Sequence, residues 1–260
     1  QTVKGFSKRI AIPQPLIFPR EYCSNFINKW ALLRARNKKL SVPIKNSLFP
    51  EDVYRNYLGK KHTPMWWTFD PRVEWLIKKL KTFSDKKVLV ICSLKETVLD
   101  LNIALRERAN ISLAVFHEDM NGIARDRAAA YFSDIDGTRV LICSEIGSEG
   151  RNFQFSQNLI LFDLPENPDL LEQRIGRLDR IGQKNDIQIH IPYLKESSQE
   201  MMFQLYQDGL NAFEKSCSYG YSIFASLKNE IHLALNGEEY KQKDLKSLIH
   251  TTRKMAKKTQ

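Results

Sequence analysis

Cysteine is scarce in this chain: Cys23, Cys92, Cys143 and Cys217 are the only four in 260 residues, and no two stand at Cys-x-x-Cys spacing. That excludes a cysteine-rich zinc module and a disulfide framework. Cys92 and Cys143 lie inside apolar, strand-like runs, so the four read as reduced core or surface thiols and no metal site is expected. Nor is there a run of about eighteen apolar residues or a charged-then-apolar leader, so neither a membrane span nor a secretory signal is predicted. The cytoplasm is the default address. A hydrophobic content of 42% supports a real core and excludes a disordered chain; the length allows one large domain or two small ones.

Charge is what the chain has in excess, with 40 Lys and Arg against 30 Asp and Glu for a formal +10, and it is unevenly spread. Residues 1–61 hold 13 bases against 3 acids and residues 238–260 hold 7 against 3, whereas the residues between hold 20 against 24. The basic character therefore belongs to the flanks. In the first flank Phe18, Tyr22, Phe26 and Trp30 are interleaved with Arg20, Lys29, Arg34, Arg36, Lys38 and Lys39. Such a pattern can follow a phosphate backbone. It is equally the pattern of an amphipathic helix whose aromatics pack while its lysines face water.

Periodicity divides the chain. Residues 10–61 read as a short extended piece, a helix from about Pro19 to Lys39, a turn at Val42-Pro43 and a second helix near Glu51. From Pro71 helical stripes alternate with continuous apolar runs at Lys87–Cys92, Ile111–Phe116, Arg139–Cys143, Asn158–Phe162 and Asp186–Tyr193. Unbroken apolar strands separated by helices predict a parallel sheet covered on both faces. After Tyr193 the strands stop. Ser197-x-x-Glu200 is a capping box opening a helix, a second helix carries Ile223 to Leu235, and a lysine-rich stretch from Asp244 to Lys258 has a weak apolar stripe. The expected organisation is a basic helical connector at 1–66, an α/β lobe at 67–194 and a helical extension at 195–260.

One stretch, Glu166 to Gln183, has its charges and apolar residues sorted. At 100° per residue a continuous helix puts Gln173, Arg177 and Arg180 on an outward stripe and Leu171, Ile175 and Leu178 on the packed one. Asn167 is a suitable cap, Pro168 a suitable first residue and Gly182 a suitable stop. Two guanidiniums and an amide on one rigid face suit a phosphate. Upstream, Gly147 and Gly150 let backbone approach a phosphate closely.

Gln173-x-x-Gly176-Arg177-x-x-Arg180-x-Gly182-Gln183 resembles motif VI of superfamily-two helicases and Snf-type translocases. Ser144–Phe153 and Asp163–Pro168 resemble motif V and its sequel, in the form used by the bacterial, RNA polymerase-associated branch of that family. Val3–Arg9, Leu48–Glu51 and Trp66–Leu76 resemble the segment joining that branch's two ATPase lobes, so the chain is expected to begin just after the first lobe. The resemblance implies a RecA-like three-layer α/β lobe with a parallel sheet. It implies Arg177 and Arg180 as arginine fingers on ATP with Gln173 beside them, Glu149, Gly150, Asn152 and Gly176 at the nucleotide, and Ser93, Gly147, Ser148 and Arg151 at the nucleic acid. It further implies double-stranded DNA and RNA polymerase as partners, ATP and Mg²⁺ as ligands, and a bacterial, nucleoid-associated location.

A motor of this kind also needs a Gly-x-x-x-x-Gly-Lys-Ser/Thr loop and an Asp-Glu pair for Mg²⁺, and neither word occurs in the 260 residues. The chain therefore reads as half of a composite site, with the other lobe of a parent chain supplying the rest. The competing reading is a non-enzymatic basic module that holds nucleic acid or RNA polymerase. On the half-site reading the isolated chain releases phosphate from ATP no faster than buffer, with or without DNA. DNA-stimulated turnover by the purified chain, free of contaminating ATPase, would contradict it.

Overall fold

Strands covered on both faces carry unbroken apolar runs, and the five runs in the sequence all become strands of one sheet. In the computed structural model, which describes residues 7–22, 44–58, 65–145, 152–180, 182–236 and 242–259, the strands are β1 (Arg9–Leu16), β2 (Val88–Cys92), β3 (Ala114–Phe116), β4 (Val140–Ser144), β5 (Asn158–Leu161) and β6 (Ile187–Leu194). Their order is β1-β6-β5-β2-β4-β3 and every pairing is parallel. Side chains alternate between two apolar layers. Leu89 and Ile91 of β2 join Leu141 and Cys143 of β4 and Leu159 and Leu161 of β5 on one face. Val88, Val90 and Cys92 join Val140, Ile142 and Ile160 on the other.

Helices cover both layers. Against the second lie α1 (Pro50–Leu58), α2 (Pro71–Thr82) and α3 (Lys95–Ala109); against the first lie α4 (Gly122–Ser133), α5 (Pro168–Ile175), α6 (Ser198–Gln204), α7 (Gly220–Ser226), α8 (Lys228–Asn236) and α9 (Gln242–Thr259). Their starts have local causes. Asp70 caps α2 by accepting from Arg72 N at 2.8 Å, with Pro71 in the first position, and Asn167 caps α5 by accepting from Asp169 N at 2.9 Å, with Pro168 next. The Ser197 box forms in a shifted version: Ser197 Oγ accepts from Gln199 N, while Glu200 reaches the N–H of Glu196. Beyond Gln204 the helix widens into a π-helical turn, Leu205–Leu210. The helix expected through Ile223 to Leu235 is two helices, broken at Leu227.

The short extended piece expected at the start of the connector is a strand of the lobe's own sheet, Arg9–Leu16, paired with β6 from Arg9↔Ile187 to Leu16↔Leu194. The following helix is present at Arg20–Tyr22, and its remainder, the turn at 42–43 and Cys23 lie outside the described residues. Buried charge ties the connector to the lobe. Arg72, fully buried, donates to Asp70 and to Glu51 of α1 at 2.6 and 2.8 Å, Tyr22 donates to Asp70 at 2.7 Å, and the guanidinium lies 4.8 Å from the Phe162 ring. The C-terminal helices likewise share the sheet's first apolar layer, through Met202, Tyr206, Phe213, Ile231, Leu235 and Leu245.

His190 sits in mid-sheet beside Ile12 and Ile160, its ring edge-on to Phe83 at 5.4 Å. Among the described residues neither ring nitrogen has a hydrogen-bond partner. Burial, helped by the charge of Lys79, lowers its pKa from 6.5 to about 4. The folded form therefore resists protonation, so stability is complete above pH 6.5 and is lost as pH falls toward 4. Urea unfolding should show the wild type losing roughly 2 to 3 kcal/mol more than His190→Leu between about pH 7 and 4.5. Equal losses in the two proteins would show that the ring is free to protonate in the fold.

Candidate functional site

The chain leaving β5 passes through Asp163 and Pro165, enters α5 at Pro168 and leaves it at Gly176. The continuous helix to Gly182 expected from the sequence is not formed. Gly176 N still reaches Glu172 O at 2.8 Å and Asp179 N reaches Ile175 O at 3.0 Å, but Arg177 N bonds Arg174 O at 3.3 Å, Leu178 N bonds Ile175 O and Arg180 N bonds Leu178 O, so tighter turns are mixed into the end of the helix. Gly182 has φ +98°, in the left-handed region, but closes a turn well past the helix end. The shared outward stripe is therefore corrected. Gln173 and Arg180 are exposed, whereas Arg177 is 7% exposed and belongs to the packed side. Removing Arg177 thus disturbs the interior. Arg180 Nε donates to Gly176 O at 3.1 Å, and among the described residues its two terminal nitrogens meet no partner.

Under this segment lies a residue that the outward stripe does not contain. Arg174 is 1% exposed and spans the ends of three strands. Its Nη1 donates to Asp163 O at 2.8 Å and to Asp163 Oδ1 at 3.2 Å, its Nη2 to Ser93 Oγ at 2.7 Å and to Glu145 Oε2, and its Nε to both oxygens of Glu145 at 3.1 and 2.9 Å. Ser93 follows β2, Glu145 follows β4 and Asp163 lies just past β5. Asp163 also accepts from Ser93 N at 2.9 and 3.0 Å and from Ser93 Oγ at 2.5 Å. Burial alone would lower the guanidinium's pKa, but the charge of Asp163 and then the hydrogen bond and charge of Glu145 outweigh it and raise the pKa. The signal was present in the sequence. Leu171, Arg174, Ile175 and Leu178 share i, i+3, i+4, i+7 spacing, and an arginine in an apolar stripe requires buried carboxylates.

A second arginine grips the segment from the sheet edge. Arg9, at the start of β1, makes a two-pronged pair with Glu172 at 2.6 and 2.9 Å and reaches Asp179 at 2.6 Å, while Ser7 Oγ donates to Asp179 at 3.0 Å. Asp179 stands between Arg177 and Arg180 in sequence. The two clamps share no residue.

Of the residues assigned from sequence, the structure gathers some. Ser93 belongs to the Arg174 cluster. Asn152, exposed, accepts from Gln154 N at 3.0 Å and so forms the turn into Phe153, whose N–H donates to Arg177 O at 2.9 Å. Gln183 Nε2 bonds Gln154 O, Ser156 O and Leu178 O, joining the same two segments again. Gly176 fits where it is because a Cβ there would come within 3.1 Å of Glu172 O. Gly147, Ser148, Glu149, Gly150 and Arg151 lie outside the described residues. Among the described residues no cluster of His, Cys, Asp or Glu is built to hold a metal, and no helix is long and apolar enough to cross a membrane.

This geometry has relatives. Residues 71–182 match the model of the helicase conserved C-terminal domain, and residues 186–260 match that of the RNA polymerase recycling family C-terminal region. The chain is 46% identical over 259 residues to the RNA polymerase-associated protein RapA of Photobacterium profundum, covering 97% of this chain and 26% of that protein. It thus spans about a quarter of that relative's length. Among solved structures it resembles the SWI2/SNF2 ATPase core of Sulfolobus solfataricus, in complex with double-stranded DNA (15% identity, TM-score 0.60, 88% of this chain and 50% of that one) and as the core domain (16%, 0.60, 88% and 48%). The likeness to these cores extends to the RecA-like fold.

The Arg9 clamp should weigh heavily in the stability of the chain. Arg9→Ala strands Glu172 and Asp179 in a part-buried setting and is expected to cost about 1 to 3 kcal/mol in urea unfolding. Lys78→Ala, which removes an exposed pair with Glu74, should cost less than about 0.5 kcal/mol. Equal costs would mean that water reaches the Arg9 cluster freely.

Proposed function

We propose that this chain, whose residues 71–182 match the helicase conserved C-terminal domain and whose residues 186–260 match the RNA polymerase recycling family C-terminal region, is the second RecA-like lobe of a Snf-type, ATP-dependent translocase on double-stranded DNA that acts on RNA polymerase during transcription. Its part in the reaction is motif IV, near Ser93, with motifs V and VI. A cytoplasmic, nucleoid-associated location follows from that reading.

The observation that carries it is Arg180: an exposed guanidinium with its terminal nitrogens unengaged among the described residues, on a turn that Arg174 and Arg9 hold from two sides. Arg174 and Arg9 are themselves committed to carboxylates inside the lobe. The exposure of Arg180, with the exposed Gln173 amide on the same segment, supports a meeting with an anion presented by another lobe. Bound ATP supplies the phosphoanhydride bond that such a composite site breaks. The described residues suit a phosphate better than Mg²⁺, because Asp163 and Glu145 are held by Arg174, and Glu172 and Asp179 by Arg9. Mg²⁺ is therefore assigned to the first lobe, together with the phosphate loop. Arg177 joins Arg180 as a finger on the resemblance of the motif; its burial gives it a structural duty as well.

The planar fork of Arg180 neutralises charge that builds on the equatorial oxygens of the transferring phosphoryl group. Loss of such a finger costs about 10³ to 10⁵ in rate, or roughly 4 to 7 kcal/mol of barrier. In the two-lobed parent, Arg180→Ala should abolish ATP turnover while melting temperature and DNA affinity hold. Arg180→Lys, which keeps charge but loses the fork, should remain severely impaired. If Arg180→Lys keeps more than about a tenth of wild-type turnover, a barrier change under about 1.4 kcal/mol, the finger assignment falls. A parent without any turnover would favour the alternative of a nucleic-acid or polymerase binding module, which the basic flanks support.

A further inference from the structure

We propose that the exposed face of α9 is a separate contact for double-stranded nucleic acid, which grips backbone phosphates without reading sequence and lies apart from the motif-bearing segments. It needs no nucleotide, so it stands independently of the reading of Arg180 as a finger.

The helix is divided lengthwise. Leu245, Leu248, Thr252 and Ala256 are buried against the lobe, whereas Lys246, His250, Arg253, Lys254, Lys257 and Lys258 are exposed. At 100° per residue Lys246, Arg253 and Lys257 fall within about 40° of one another, with Lys254 and Lys258 flanking them on one side. Asp244, the one acid in the sequence of α9, stands about 160° from Lys246. Among the described residues none of these five cations enters an ion pair. Lys257 and Lys258 complement the carbonyl end of the helix. Lys246 and Lys254 lie too far up it for that duty.

The stripe is also seated firmly. Gly209, in the π-helical turn Leu205–Leu210, lets α9 approach so closely that a Cβ there would come within 2.9 Å of Thr252 Cγ2. Arg253 Nε donates to Asp208 O of the same turn at 2.7 Å, and its terminal nitrogens have no partner among the described residues. The guanidinium is thus oriented before any ligand arrives, which lowers the entropy lost on binding. π-Helical turns are rare and recur at functional sites.

Chemistry selects the partner. Lys246 to Lys257 span about 16 Å, a length of duplex that carries roughly ten phosphates. The exposed face has no Phe, Tyr, Trp or aliphatic side chain, so it offers unpaired bases no stacking platform and a protein no apolar centre for an interface. A lipid surface is not served either, because the apolar side of the helix is already buried in the lobe and has nothing to insert.

The test measures binding of the 260-residue chain to a labelled, random-sequence DNA duplex of about 20 base pairs by fluorescence anisotropy over a range of salt, without nucleotide. The triple variant Lys246→Gln, Lys254→Gln, Lys257→Gln should bind at least about tenfold more weakly at low salt and flatten the slope of log affinity against log salt by about 2 to 3. A control triple, Lys78→Gln, Lys81→Gln, Lys86→Gln, removes the same charge from α2 and the turn after it, and should change the slope by less than about 0.5. Both triples should melt with the wild type, since all six side chains are exposed. Equal losses in the two triples would reveal a diffuse field and overturn the inference, as would tighter binding of an equally long single strand. A wild-type chain with no duplex binding at about 50 mM salt hands the stripe to an acidic protein surface and overturns it too. ATP turnover by the two-lobed parent decides the finger reading alone, so the two proposals fail separately.

Discussion

A guanidinium that cannot reach water must be met by carboxylate, and in this lobe that requirement falls on Arg174. Its fork spans the ends of three adjacent strands, so Ser93, Glu145 and Asp163 converge on one point. Convergence then sets the rest. The chain past β5 is drawn under α5, α5 is stopped at Gly176, and the arginines beyond it are carried on a turn and not on a helix. Arg9 completes the arrangement by holding Glu172 and Asp179 from the sheet edge. Two internal cations thus define where the external one stands.

Arg177 and Arg180 are three residues apart yet occupy unlike surroundings, one packed and one exposed. That asymmetry follows from the tight turns after Gly176, which abandon the 3.6-residue repeat. A lobe built this way presents one cation at its surface and keeps the other as part of its own wall. In a site assembled from two bodies, the division gives one contact that can respond to a ligand and one that keeps the surface from which it responds.

Much of the architecture was legible because local chemistry and tertiary role coincide. Val88–Cys92 and Asn158–Leu161 are runs rich in apolar residues and are buried throughout; Asp70-Pro71 and Asn167-Pro168 start helices as capping rules require. The motif words were legible too. What was not legible depends on partners far away in sequence. Arg9–Leu16 reads as a short extended piece, but its place in the sheet was hidden because the strand that receives it lies more than 170 residues on, a separation no periodicity can reveal. The outward stripe fails at Gly176, where a fixed 100° step stops applying, and Arg174 escapes a helical wheel that selects charges facing solvent. The widened turn at Leu205–Leu210 and the break at Leu227 have no clear local mark, since both lie within unbroken helical stripes.

The strand at Arg9–Leu16 also decides how the sheet ends. Ile187 N and Lys195 N bond the carbonyls of Lys8 and Leu16, so the even-numbered residues of β1 face β6 and the odd-numbered ones face away. Pro13 and Pro15 are odd-numbered, and both are exposed. Along its outer side β1 therefore lacks two of the N–H groups that a further strand would need, while the opposite border, β3, is only three residues long. Growth of the sheet from molecule to molecule along β1 is in this way opposed by two rings that have no hydrogen to give.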